Sequence, residues 1–344
     1  MSGGFVRTIW FGRGVGPSAV RALLWPASVA FRGGVWVRNA LYDLGLAAVP
    51  APALPAIAVG NLTVGGTGKT PVSAWIAAEL QRRGAKPAIV LRGYGEDEPA
   101  VHARLNPGIP VVVDADRNAG MRRAQGLGAN VVVLDDAFQH RRAARSADVV
   151  LVAAERGLHP ARLLPAGPFR EPLGALRRAS MVLVTRKTAD PGAAAAVMAE
   201  AAEAGRIPGG VAALEPDGLV PVGGGDSIPM HRLDGARVTL ITGVAEPELV
   251  AAQLSACGAV VTLHAYPDHH AFQAGELAAA AAVPAQDYVV CTLKDAVKIA
   301  ERWPGARPLW YVSQRLTVER GDDEMTRLLD GVLATVALNP QTAG

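Results

Sequence analysis

The stretch VGNLTVGGTGKTP, residues 59–71, decides the fold. Its first residues complete an apolar run, AIAVGN at 56–61, which predicts a buried strand, and a helix is predicted from about Pro71 to Arg83. The phosphate-binding loop of P-loop proteins follows the pattern G-x-x-x-x-G-K-[ST], and this chain departs from it only at the first position, which is Thr63. The strand before the loop and the helix after it favour a P-loop in spite of that departure.

In such a loop, backbone N–H groups and the helix N-terminus surround the phosphates of a nucleotide. We expect Lys69 to reach the β- and γ-phosphates of ATP and the Thr70 hydroxyl to bind Mg²⁺. The alternative is a glycine-rich turn without a ligand, which would leave the lysine and threonine unexplained. The predicted nucleotide-binding residues are Thr63, Val64, Gly65, Gly66, Thr67, Gly68, Lys69 and Thr70.

Short apolar runs rich in β-branched residues alternate with helical stretches along the rest of the chain. They lie at 86–95, 109–114, 129–136, 147–154 and 179–187, and four more follow residue 237. This alternation predicts an α/β fold, a P-loop NTPase-like parallel sheet with helices on both faces, and a smaller second α/β domain. The expected divisions are an N-terminal arm over 1–50, a P-loop domain over 51–220, a Gly- and Pro-rich linker over 221–236, and the smaller domain over 237–344.

A pair of carboxylates, Asp135 and Asp136, ends the buried run VVVLDD. Paired aspartates after a strand often form only a turn or a helix cap. Because ligands bind at the carboxyl ends of parallel strands, and a P-loop is predicted in the same sheet, we expect one of them to bind the metal of the nucleotide.

The positive charge of the chain is concentrated near its amino end. Residues 1–50 contain five arginines and one aspartate, whereas the remainder has 29 basic and 30 acidic residues. Three of the six tryptophans lie there too, and apolar residues with interspersed Arg and Trp are typical of an amphipathic helix at a membrane surface. The alternative is a helical arm packed on the protein. Lysine is absent from this segment and no nucleic-acid motif accompanies it, so we expect no nucleic-acid partner.

Seven motifs follow one another in the order VGNLTVGGTGKTP, RGYG, DEP, LDDAFQHRR, LPAGPFRE, PDHH and TLKDAVK. This ordered set resembles the tetraacyldisaccharide 4′-kinase family, from the amphipathic N-terminal segment to about residue 300. The resemblance implies a lipid kinase that transfers the ATP γ-phosphate to the 4′-hydroxyl of a tetraacyldisaccharide 1-phosphate, forming lipid IVA in lipid A biosynthesis. It also implies a protein held peripherally or by shallow insertion at the cytoplasmic face of a bacterial inner membrane. Two cysteines without metal-ligand spacing agree with a reducing compartment.

The resemblance also assigns roles to particular residues. Asp97 in GEDEPA and His269 in PDHH would form a catalytic dyad, with motif register favouring His269 over its neighbour His270. Arg170 and Glu171 in GPFRE would lie near the phosphates and the metal. The expected catalytic residues are Asp97, His269, Lys69, Asp136 and Arg170, and the expected metal ligands are Thr70, Asp135, Asp136 and Glu171.

The sequence departs from the family pattern at three places. Ala137 follows the acidic pair where the family usually has glycine, and Leu293 stands where glutamate is common. Family members also commonly have a longer segment between RGYG and DEP, whereas here Glu96 alone separates Gly95 from Asp97.

Two other functions use a similar sheet. One is a membrane-associated P-loop ATPase or GTPase switch that has no small-molecule acceptor and needs no Asp–His dyad. The other is an ATP-dependent ligase that activates a carboxylate. We expect the kinase, acting as a monomer on a membrane-embedded glycolipid substrate and attached to the membrane through its N-terminal arm.

Overall fold

The structure of the protein is a computed structural model that describes residues 3–93, 95, 97–305 and 307–338. Ten α-helices lie along it. They are α1 (Gly3–Phe11), α2 (Val15–Asp43), α3 (Lys69–Arg82), α4 (Asp97–Leu105), α5 (Arg117–Gly126), α6 (Pro191–Gly205), α7 (Pro247–Ala256), α8 (Ala274–Ala281), α9 (Leu293–Ile299) and α10 (Asp322–Ala337). Short 3₁₀ helices span Leu173–Arg178, Met230–Leu233 and Ala300–Arg302.

Twelve strands join in a single hydrogen-bonded sheet. They are β1 (Ala56–Asn61), β2 (Pro87–Leu91), β3 (Val111–Val113), β4 (Val131–Asp135), β5 (Ala147–Ala153), β6 (Met181–Arg186), β7 (Gly209–Pro221), β8 (Ile228–Pro229), β9 (Arg237–Thr242), β10 (Val260–Ala265), β11 (Tyr288–Thr292) and β12 (Leu309–Arg320). Their order is β10-β9-β11-β12-β7-β6-β5-β1-β4-β2-β3, and the short β8 pairs with β7.

The strands from β7 to β3 run parallel, and so do β10, β9, β11 and β12. The two parallel groups meet where β12 pairs with β7 in the antiparallel direction. The predicted parallel α/β sheet is confirmed. Neither β7 nor the full length of β12 was predicted, and the division into two domains at 221–236 stays a prediction.

Strand β1 lies at the centre of the parallel group, between β4 and β5. Its side chains alternate between two cores, because successive residues of a strand point to opposite faces. Ile57 and Val59 pack with Val72, Ile76 and Leu80 of α3 on one face. Ala56 and Ala58 pack with Met121 and Ala124 of α5 on the other. Helices thus cover both faces, as the sequence predicted.

The predicted amphipathic N-terminal arm consists of α1 and α2. One stripe of α2 packs on the protein: Ser28 and Val35 are buried, and the Ser28 hydroxyl donates to the carbonyl of Leu163 at 3.2 Å. Trp25, Val29 and Trp36 recur at spacings of four and seven residues and are largely exposed, Trp25 by 65% and Trp36 by 70%. Among the residues described, no helix combines the length and apolarity needed to cross a membrane.

Gly60 in β1 allows the strand to approach the turn after β4. A Cβ atom at position 60 would lie 2.6 Å from the Phe138 Cβ and 2.8 Å from the Phe138 backbone N. We therefore expect Gly60→Ala to lower the free energy of unfolding by about 1–3 kcal/mol, the usual cost of overpacking a core.

Urea denaturation measures this loss. Gly126→Ala is the matched control, since nothing lies within 4 Å of a Cβ atom there and alanine favours a helix. Equal stability of the two variants would contradict the expected clash.

Candidate active site

The loop between β1 and α3 has the conformation of an anion-binding loop. Gly65 (φ 117°) and Gly68 (φ 76°) both adopt left-handed backbone conformations that favour glycine. Gly68 is the residue before α3, and a Cβ atom there would lie 2.6 Å from Leu214 Cδ1. The first N–H groups of α3 have no partner within the helix, so they are available to phosphate oxygens.

Neighbouring segments hold the loop in place. The Asn61 side chain donates to the Thr67 hydroxyl at 2.7 Å, and the Thr185 hydroxyl donates to the Thr67 carbonyl at 3.0 Å. The backbone N–H of Val64 donates to the carbonyl of Pro168 at 2.8 Å, and Thr63 forms a β-bridge with Phe169. The loop is thus fixed from strands β1 and β6 and from the segment that carries the GPFRE motif.

Asp135 ends β4 beside the loop, because the register of the sheet places it opposite Val59 of β1. Its Oδ1 accepts from the Ser73 hydroxyl at 3.1 Å, and its Oδ2 is 2.8 Å from Nε2 of His102. Burial by itself would raise the pKa of Asp135, but the hydrogen bond and charge of His102 and the nearby Lys69 ammonium outweigh it and lower the pKa. The carboxylate is therefore charged at neutral pH.

Asp136 directs the second carboxylate of the pair toward Arg170. Its backbone has φ 49°, a left-handed conformation that aspartate tolerates, and its side chain accepts from Arg170 at 2.8 and 3.2 Å. Arg170 also donates to the backbone carbonyl of Asn61 at 3.2 Å and to the Asn61 side chain. Burial works against the charge of Asp136, but Lys69 and Arg170 prevail and lower its pKa.

Lys69, the first residue of α3, lies among these charges. Burial is the main cause that lowers its pKa; Arg170 and Lys294 act in the same direction, whereas Asp136 and Asp135 oppose it. A bound phosphate group would supply further negative charge beside this ammonium group and would favour its protonated form.

The oxygen atoms at the loop suit Mg²⁺. Asp135, Asp136 and the buried Thr70 supply carboxylate and hydroxyl oxygens, which are hard ligands. Within the described parts of the chain, no three His, Cys, Asp or Glu side chains cluster closely enough to form a metal cage. Mg²⁺ usually binds through one or two carboxylates together with the phosphates of a substrate, so this set fits it.

Glu171 has a different environment from the other predicted metal ligands. Its carboxylate is fully buried and accepts from Arg178 at 2.9 and 3.1 Å and from Asn39 at 2.9 Å, and Arg38 lies 3.1 Å away. Burial would raise the pKa of Glu171, but Arg178, Asn39 and Arg38 lower it. The structure therefore places Glu171 as the anion that joins arm helix α2 to the Leu173–Arg178 segment, and its predicted metal role gains no support from these contacts.

Asp97 and His269 come together from opposite halves of the sheet. Asp97 begins α4, His269 follows β10, and the His269 Nδ1 is 3.6 Å from the Asp97 Oδ1. The Asp97 side chain is buried, and its Oδ2 has no hydrogen-bond partner among the described residues. His269 is half exposed.

His270 points away from this pair. Its ring stacks on Tyr266 at 4.7 Å and its Nε2 lies 2.9 Å from Glu276. The structure thus places His269, and not His270, beside Asp97, and the catalytic role of the pair stays a prediction.

Three polar residues of the site were missed in the sequence. His102 is completely buried and contacts Asp135. The Ser73 hydroxyl donates a hydrogen bond to the same carboxylate. Asn61 contacts both Arg170 and Thr67. A lone histidine five residues into a helix gives no signal of its own. Asn61 lies within the stretch that predicted the loop. A polar residue in a predicted buried strand could have indicated that its side chain has a partner at the site.

The chain is similar to known proteins over most of its length. A family model described as tetraacyldisaccharide-1-P 4′-kinase matches residues 20–334. A tetraacyldisaccharide 4′-kinase of Anaeromyxobacter sp. (strain Fw109-5) is 38% identical, over 98% of this chain and 99% of that protein. One from Halorhodospira halophila is 36% identical, over 90% of this chain and 91% of that protein.

A solved structure is similar throughout. The crystal structure of LpxK from Aquifex aeolicus in complex with ATP superposes with a TM-score of 0.72 at 25% identity. The similarity covers 91% of this chain and 99% of that one.

The contacts of Glu171 make a prediction about stability. Glu171→Gln would leave the partly exposed Arg178 and Arg38 without their counter-charge, so we expect the free energy of unfolding at pH 7 to fall by about 1–3 kcal/mol. Because its folded-state pKa lies below the ordinary 4.5, the charge stabilises the fold fully above about pH 4.5. That stabilisation is lost as the pH falls through the lowered folded-state pKa.

Urea denaturation between pH 3 and 7 measures both effects. Glu324→Gln is the control: it removes an exposed ion pair with Arg327 and should cost less than about 1 kcal/mol. A Glu171→Gln protein of normal stability that needs much more Mg²⁺ for nucleotide binding would instead support a metal ligand.

Proposed function

The chain belongs to the tetraacyldisaccharide-1-P 4′-kinase family, and on that premise we propose that it transfers the ATP γ-phosphate to the 4′-hydroxyl of a tetraacyldisaccharide 1-phosphate. The product would be lipid IVA, an intermediate of lipid A biosynthesis. The kinase names of relatives that match nearly the whole chain, and the ATP bound to a similar structure, support ATP as the phosphate donor.

The residues around the loop would hold the nucleotide. Loop N–H groups that have no acceptor among the described residues, such as that of Gly65, would surround the phosphates together with the Lys69 ammonium group. Arg170 would offset the charge that spreads over the transferred group. Asp135, Asp136 and Thr70 would hold Mg²⁺. When bound, Mg²⁺ supplies charge neutralisation at the β- and γ-phosphates.

The unpartnered oxygen of Asp97 is the observation that carries the proposal. A sugar hydroxyl is a poor nucleophile, so a base must accept its proton as the new P–O bond forms. A buried carboxylate oxygen without a donor is costly unless a ligand supplies one, and the 4′-hydroxyl would be that donor.

His269 would act on Asp97 as its positioning partner. At 3.6 Å the two side chains are slightly beyond hydrogen-bond distance, and catalytic hydrogen bonds commonly shorten only when substrate is bound.

The N-terminal arm would bring the site to a substrate that stays in the bilayer. Trp25, Val29 and Trp36 give α2 an exposed apolar face, and Arg21, Arg32 and Arg162 line a groove beside Trp25. Rings at headgroup depth with guanidinium groups beside anionic lipid are what interfacial binding needs. We place the protein at the cytoplasmic face of the inner membrane, where ATP is available, as a monomer that binds from the surface.

Replacement of Asp97 tests the base. Asp97→Asn keeps the shape of the side chain but cannot accept the proton, so we expect kcat to fall by about 10²–10⁴-fold with little change in nucleotide affinity. His269→Ala should lower kcat less. The measurement is formation of a doubly phosphorylated lipid from labelled ATP, Mg²⁺ and tetraacyldisaccharide 1-phosphate in detergent.

His270→Gln is the control, because His270 faces Tyr266 and Glu276. Normal turnover by Asp97→Asn would remove Asp97 as the base. The nucleotide switch would be favoured if the wild type made no lipid product and released phosphate without lipid, and if Asp97→Asn released phosphate at the same rate.

Replacement of exposed tryptophans tests membrane attachment. Trp25→Ser with Trp36→Ser should weaken binding to vesicles of anionic phospholipid, because both rings are exposed and neither is needed for packing. Arg21 and Arg38 are unsuitable probes, since Arg21 donates to the carbonyls of Ile9 and Gly12, and Arg38 pairs with Glu171.

Vesicle co-sedimentation measures the change, with kinase activity on a detergent-dispersed substrate as the test of folding. Leu127→Ser is the matched control, an exposed apolar residue of the body that is 63% exposed. Unchanged sedimentation of the double variant would contradict attachment through this face.

A further inference from the structure

A buried carboxylate from the C-terminal half of the sheet reaches the phosphate-binding loop through two cations. Glu246, the residue before α7, is 7% exposed. Its Oε1 accepts from Arg156 Nε at 3.0 Å and Nη2 at 2.8 Å, and its Oε2 lies 3.8 Å from Lys187 Nζ. Arg156 follows β5 and Lys187 follows β6, so three separate segments meet here.

Both cations also bind backbone carbonyls of the loop. Arg156 Nη1 donates to the carbonyl of Val64 at 3.0 Å, and Lys187 Nζ donates to the carbonyl of Gly66 at 3.1 Å. The contact is close, because a Cβ atom at Gly65 would lie 2.5 Å from Arg156 Nη1. Glu246 is itself near the loop, 3.4 Å from the position of a Cβ atom at Gly66.

These contacts determine which way the peptide groups of the loop face. In a trans peptide the C=O and the following N–H point in opposite directions. With the carbonyl of Val64 held by Arg156, the N–H of Gly65 faces the other side of the loop. Among the described residues this N–H has no acceptor, so it is available to a phosphate oxygen.

We propose that Glu246 is a positioning residue for the nucleotide: through Arg156 and Lys187 it holds the 63–70 loop in the conformation that accepts the phosphates. The proposal rests on the proposed function to the extent that this loop binds ATP. A carboxylate from the C-terminal half thereby sets the shape of the loop in the other half. Without the charge of Glu246, Arg156 and Lys187 would have no shared carboxylate to hold their side chains in place. The carbonyls of Val64 and Gly66 would then lose donors at fixed positions.

The opposite arrangement is also testable. If Glu246 instead occupied the cations in place of a phosphate group, removing its charge would free them for the nucleotide and tighten binding. The sign of the change in nucleotide affinity therefore separates positioning from competition.

The experiment is titration of the purified full chain with Mg²⁺ and a fluorescent ADP analogue, without lipid, so that failure of the lipid kinase proposal would not affect it. Glu246→Gln should raise the dissociation constant about tenfold, since small displacements of binding groups have effects of this size or larger. In the kinase assay, KM for ATP should rise while KM for the lipid stays unchanged.

Glu248→Gln is the matched control, two residues further along in α7. Its side chain is 64% exposed and pairs only with Arg7 among the described residues, at 3.2 Å, so nucleotide affinity should not change. Glu246→Asp, which keeps the charge, should recover part of the lost affinity.

A double-mutant cycle tests whether the residues act as one unit. Lys187→Met alone should also weaken binding, and the loss in the Glu246→Gln, Lys187→Met protein should be smaller than the two single losses combined. Lys187→Met gives the same readout if Glu246→Gln does not fold. Tighter or unchanged binding in Glu246→Gln, a lowered Tm without a change in affinity, or additive losses would each overturn the proposal.

Discussion

The register between β1 and β4 is the constraint on which the active site depends. Parallel pairing of Val59 with Asp135 places the end of β4 level with the start of the phosphate-binding loop. A slip of β4 by one residue would turn Asp135 to the opposite face of the sheet, and Val131 and Val133 would leave the core that they share with β1 and α3. The apolar side chains of β1 and β4 therefore position the polar site, because a slip would exchange side chains between two close-packed cores that they do not fit.

The charged groups and the carbonyls at the loop have partners within the protein. Asp136 is held by Arg170, Asp135 by His102 and Ser73, and the loop carbonyls by Arg156 and Lys187. Buried ions of this kind are stable only with partners, and those partners also fix their directions. Donors fixed in advance need not reorganise during phosphoryl transfer, which is the main source of electrostatic stabilisation in such reactions.

The sequence predicted those parts of the site that depend on local pattern. Each of these parts is specified by no more than about a dozen consecutive residues: the loop, the strand before it and the acidic pair. The structure has all three at one edge of the sheet. The meeting of Asp97 with His269 came from resemblance alone, since 171 positions separate them. Contacts such as Arg156 with Glu246 gave no signal, because nothing near either residue specifies a partner 90 positions away. Pairing of β12 with β7 was missed for the same reason: antiparallel pairing between distant strands depends on the completed sheet.

The continuous sheet also fixes the relative positions of Asp97 and His269, the proposed catalytic dyad. Because β7 and β12 join the two parallel groups by hydrogen bonds along most of their length, the halves that carry Asp97 and His269 are held in one frame. Helix α4 packs against α9 of the other half, close to the dyad. The two side chains lie 3.6 Å apart, so a shift of less than about 1 Å would complete a hydrogen bond. An adjustment of side chains and loops would be sufficient to form that hydrogen bond. In the proposed reaction, the half-exposed His269 would lie on the solvent side of the pair, and the buried Asp97 oxygen would receive the hydroxyl group of the acceptor.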